Sequence, residues 1–205
     1  MRASRSLPDG YELGGTVRLQ GNRRLQATLM LLSLPWGLVS LCAVGTLGAL
    51  VRPAGWSFEL GPDIAMVPVV AFLVGLLAMP LLTVVVHEAV HGVLLWAFTR
   101  ARPVFGFRGW YAYADAPGWY LSRSTMLAVL VAPLVVLPVL GLPLVAFGPV
   151  GLSILVLLAL IFNAVAAIGD VYLIGIALRV RGPMYFGDEP GARPGEAGSW
   201  YVLRR

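Results

Sequence analysis

Three residues in one short run have the types and spacing for metal chemistry: His87-Glu88-Ala89-Val90-His91. The run lies inside an apolar stretch from Ile64 to Phe98, which reads as helix. Residues four apart on a helix stand one above the other, so His87 and His91 would offer two imidazoles to a single ion. Glu88, one step round the same helix, could then reach a water activated by that ion and act as general base. The bland reading is two polar residues packed in an apolar helix. The chain has just two histidines, both in this pattern, and polar groups at membrane depth are costly without partners. The metal reading is preferred.

A catalytic zinc takes three protein ligands and leaves one position open. With both histidines used, the third must be a carboxylate or Cys42. Asp170 is the one acidic residue besides Glu88 in any apolar span. It lies about nine residues from the end of its span, and His91 about eight from the end of its own. At roughly 1.5 Å per residue both sit ~12–14 Å from the same boundary. No span holds an arginine to pair with these acids. An uncompensated buried charge costs several kcal/mol, so the two carboxylates are protonated or share a cation. A divalent metal satisfies that requirement and accounts for the histidines as well; a neutral Asp170 bonded to a neighbouring helix is the alternative. Asn163, about two turns earlier on the same face, could hydrogen-bond a substrate backbone or an oxyanion, or serve as packing between helices.

The elements that must position these residues are mostly membrane spans. Hydrophobic residues make up 59% of 205 and mean hydropathy is +0.83. Several runs exceed the roughly 18–20 apolar residues that cross a bilayer. The expected fold is an all-α integral membrane protein with about four transmembrane helices. The spans are Leu25–Val51 with a kink at Pro35, Ile64–Phe98 bent near Pro80, Ser124–Val145, and Gly151–Leu178. Residues 1–24 form an N-terminal segment, 25–178 the four-span membrane domain and 179–205 a tail.

The segments between spans are short. Pro53, Gly55, Gly61 and Pro62 break the chain in the 52–63 loop. Thr99–Arg123 is rich in aromatics, Trp110 among them, and reads as a hairpin or interfacial loop. It is either a plain aromatic belt or a strand that pairs with substrate by β-augmentation. Gly14–Leu19 has the pattern of a short strand, whereas the tail is expected to be mostly irregular, a short strand within it being the alternative. A cleaved signal peptide is not expected, and a lone Cys42 permits no intrachain disulfide.

Every basic side chain is arginine, and the net charge is +5. With four spans, fourteen of the fifteen arginines fall on one side and Arg52 alone on the other. The positive-inside rule then makes both termini cytoplasmic. The charge thus reflects topology, and no nucleic-acid partner is expected. Other metal chemistries fit poorly. A di-iron site needs a second Glu-x-x-His and two further glutamates, and membrane histidine-box oxygenases need many more than two histidines. A transporter would place its ligands on several helices along a path. Hydrolysis fits best.

Taken together, Leu7-Pro8-Asp9-Gly10-Tyr11, the His87–Gly92 run, Asn163 and Gly169-Asp170 make the chain resemble a bacterial family of membrane zincin peptidases. That family is similar to the site-2 protease clan of intramembrane zinc metalloproteases. The resemblance implies Zn2+ bound by His87, His91 and Asp170, with Glu88 as base. It also implies membrane-protein or peptide substrates and a bacterial inner (plasma) membrane as the setting. One departure stands out: the clan's Asn-x-x-Pro and Asp-Gly are here Asn163 without that proline, and Asp170-Val171. The expected function is zinc-dependent intramembrane endopeptidase. The alternatives are a non-catalytic scaffold or pseudoprotease with a structural metal, and a metal transporter.

Overall fold

A computed structural model of the chain describes residues 3–18, 22–52, 55–56, 66–109, 111–188, 193–195 and 197–203. Ile64, Pro53, Gly61, Pro62, Trp110, Arg2, Arg204 and Arg205 lie outside the described residues. Among the described residues five helices form: α1 (Arg23–Val51), α2 (Met66–Thr99), α3 (Arg123–Phe147), α4 (Val150–Ala166) and α5 (Ile168–Arg179). Of these, α1, α2 and α3 are long and apolar enough to cross a membrane. The pair α4 and α5 adds a fourth candidate if it counts as one bent span. Leu34, Leu77 and Leu140 stand exposed along these helices, a density of surface leucine that a water-soluble monomer avoids.

The all-α expectation is overturned. Among the described residues seven strands accompany the helices: β1 (Ala3–Ser4), β2 (Tyr11–Arg18), β3 (Val104–Arg108), β4 (Tyr111–Asp115), β5 (Tyr120–Ser122), β6 (Met184–Asp188) and β7 (Ala197–Leu203). Five of them build one antiparallel sheet in the order β1-β5-β6-β7-β2. Residues 14–18 of the expected short strand belong to β2, and Leu19 lies outside the described residues; the tail, expected to be mostly irregular, supplies two strands, β6 and β7. The sheet draws its strands from both ends and the middle of the chain, and two are only two or three residues long. Only β6 and β7 pair as sequence neighbours; the other pairings in the sheet join strands remote in sequence, so no local alternation announces them. Between α2 and α3, β3 and β4 pair antiparallel as a separate two-stranded hairpin.

A second departure concerns the last span, expected as one helix. It breaks at Ala167, and α5 leaves α4 at 45°.

The chain forms two compact units, one of residues 1–31, 88–133 and 169–205, the other of 32–87 and 134–168. In the first, the sheet packs on the ends of three helices. Leu95 of α2 and Val129 of α3 share a buried cluster with Leu121 of β5 and Ala116. Ala177 of α5 joins Met184 and Phe186 of β6 in another. Arg123 at the start of α3 donates to the carbonyls of Val180 and Gly182 just past the end of α5, where a cation complements the helix dipole. Gly14 and Gly15 let β2 pass beneath Trp200 of β7: a Cβ at Gly15 would lie 2.3 Å from the indole. The strand register shifts at the same place.

In the second unit, Arg52 donates to the carbonyls of Val145 and Gly148 and to Ser153 Oγ, fixing the turn from α3 to α4. Trp36 of α1 donates its indole N–H to the Ala164 carbonyl at 2.6 Å. The helix break leaves that carbonyl without its ordinary partner, and Trp36 replaces it.

Candidate metal centre

His87 and His91 lie one turn apart on α2, which runs unbroken through both and through Pro80. Both are buried. Asp170 sits in the first turn of α5, where exposed N–H groups and the positive end of the helix dipole favour a carboxylate. Its Oδ2 lies 3.4 Å from His91 Nε2. One ligand atom from each of His87, His91 and Asp170 falls within 4.8 Å of the others. The sheet described above fixes the ends of α2 and α5, and His87 follows from His91 by one helical turn.

Each imidazole is oriented through its other nitrogen. His91 Nδ1 lies 2.9 Å from the Val129 carbonyl on α3. A carbonyl can only accept, so Nδ1 carries the proton and Nε2 keeps its lone pair. His87 Nδ1 lies 2.8 Å from Asn163 Oδ1 on α4. By the same logic His87 Nε2 keeps its lone pair and is the atom that can ligate a metal. Such outer partners are what metal-binding histidines have.

The donor set fits a divalent ion. Two ligands each about 2.0–2.1 Å from a tetrahedral zinc stand roughly 3.3 Å apart, close to the 3.4 Å between His91 and Asp170. Two neutral imidazoles and a carboxylate are a borderline-soft set suited to zinc. His87, His91 and Asp170 could hold it, with Glu88 half-buried on the same helix next to His87.

The residues singled out from sequence are thus largely brought together. His87, His91 and Asp170 converge, and Asn163, expected against substrate or as packing, has its oxygen against His87. Val129 escaped notice because a backbone carbonyl leaves no mark in residue type at its own position. Trp36 escaped notice too, since it acts on a helix break that carries no proline. The β3–β4 hairpin also reaches the centre's helix. A Cβ at Gly92, directly after His91, would lie 2.3 Å from Phe105 Cζ. Gly92 is what allows β3 to lie this close to α2.

No curated protein and no solved structure shows a significant match to the chain. A family described as "Putative zincin peptidase" matches residues 80–183, just over half of the chain. The matched region contains both histidines, Glu88, Asn163 and Asp170, and that family description names metallopeptidases that use zinc. The chain belongs to this zincin peptidase family.

Proposed function

We propose that the chain is a zinc-dependent endopeptidase embedded in a membrane, hydrolysing peptide bonds of membrane-protein substrates on a plan similar to the site-2 proteases. His87, His91 and Asp170 are the metal ligands and Glu88 is the general base. The observation that carries this reading is the 3.4 Å approach of Asp170 to His91. It occurs in a buried site where each imidazole has its Nδ1 engaged elsewhere.

Bound zinc supplies a Lewis acid that polarises a carbonyl and lowers the pKa of water toward neutrality. Glu88 takes a proton from the attacking water as the C–O bond forms. It then returns that proton to the leaving amine as the C–N bond breaks. Val129 and Asn163 hold the two imidazoles in the tautomer that keeps Nε2 available. Three to four apolar helices support a membrane location; with α4 and α5 counted as one fourth span, fourteen of the fifteen arginines would fall on one side, which supports cytoplasmic termini.

A substrate helix hides its carbonyls in internal hydrogen bonds and must unwind before it can be cut. Segments containing proline or glycine are the expected targets. Each strand of the two-stranded β3–β4 sheet has an outer edge, which offers main-chain hydrogen bonds to an unwound segment.

Glu88→Gln tests the reading. It should keep the full zinc content and abolish cleavage of co-expressed membrane proteins; wild-type rates in this variant would refute the role of Glu88.

A further inference from the structure

We propose that Pro133 is a positioning residue of the metal centre: having no N–H, it frees the Val129 carbonyl to orient His91. In an α-helix each carbonyl accepts from the N–H four residues on. For Val129 that residue is Pro133, which has no hydrogen to give and whose ring crowds the carbonyl four residues back. Helix α3 nevertheless continues without interruption from Arg123 to Phe147. The carbonyl is therefore turned out of the helix ladder in a buried setting, since Val129 is 4% exposed and Pro133 is among the fully buried side chains.

A buried carbonyl requires a donor, and the one in place is His91 Nδ1 at 2.9 Å. The same hydrogen bond fixes the ring's tautomer and points Nε2 at Asp170. A proline that would otherwise weaken a helix thus creates the acceptor that one metal ligand needs. An alanine at 133 would restore an N–H that competes for the same carbonyl lone pairs. It would make a better helix and a worse ligand.

This inference rests on the zinc reading of the site. The test compares zinc affinity, by chelator competition on the purified full chain, with thermal unfolding of the metal-free form. Pro133→Ala should lower zinc affinity about tenfold, in the range that outer partners of metal ligands command. Its metal-free form should unfold at the wild-type temperature or above it, whereas a residue needed merely for packing would lower stability and leave affinity alone. A second variant puts lactic acid at position 133, giving an ester with neither ring nor N–H. It should bind zinc within about twofold of wild type, because the carbonyl stays free.

Wild-type affinity in Pro133→Ala would overturn the inference and leave the zinc reading intact, as would a lactate variant as weak as the alanine one. Failure of the wild-type chain to bind zinc would overturn both.

Discussion

Asn163 Oδ1 lies 2.8 Å from His87 Nδ1, both side chains buried. The contact places an amide oxygen where a metal-binding histidine needs an acceptor. Asn163→Ala removes the acceptor and lets the imidazole turn. Zinc affinity, measured by chelator competition, should fall about 10–100-fold. Asn163→Asp keeps an acceptor in place and should retain most of the affinity. If alanine and aspartate behave alike, Asn163 serves packing and not His87.

Gly92 and Phe105 make a second prediction, and two effects compete in it. A Cβ on residue 92 would overlap the Phe105 ring, yet that ring is 52% exposed and free to swing outward. Alanine also improves a helix by roughly 0.5–1 kcal/mol over glycine. The ring therefore yields, and Gly92→Ala should change global stability by less than about 1 kcal/mol. The β3–β4 hairpin should lose its seat on α2. Hydrogen exchange of the amides in 104–115 should quicken several-fold; an unchanged rate would show that Phe105 does not anchor the hairpin.

Asp188 in β6 gives a pH signature outside the helices. Burial, and then the nearby charge of Asp115, raise its pKa from 3.8 to about 6, against the pull of a hydrogen bond from Gly118 N–H. The folded chain holds this proton where the unfolded chain has lost it. The contribution of Asp188 to stability is thus greatest below about pH 4, falls as pH rises to about 6 and is flat above. Asp188→Asn keeps an acceptor for Gly118 and carries no charge. Its Tm should match wild type near pH 4 and exceed it at about pH 7.5. Parallel Tm curves for the two proteins across that window would contradict the assignment.

Much of the centre was legible in the sequence because its parts are local or governed by depth. The spacing of His87 and His91 is a property of one helix. Asp170 could be placed beside them because span ends set its height and no arginine shares the apolar spans. The sheet was not legible. Ala3-Ser4 pairs with Tyr120-Leu121, and Tyr11 with Leu203, and nothing in a two-residue strand predicts a partner so far along the chain. The break at Ala167 was equally hidden, since no proline marks it and Gly169 lies past it, inside α5. Its consequences, Trp36 on the Ala164 carbonyl and a helix start beside Asp170, become visible once the backbone is traced. Pro133 is plain in the sequence, but its effect is felt four residues earlier and on another helix.

The central claim is that Asp170 completes a zinc site with His87 and His91. The most direct measurement is the zinc content of the purified Asp170→Ala protein, beside wild type and Glu88→Gln. A full equivalent of zinc per chain is expected in wild type and Glu88→Gln, and almost none in Asp170→Ala. Full zinc in Asp170→Ala would contradict the account.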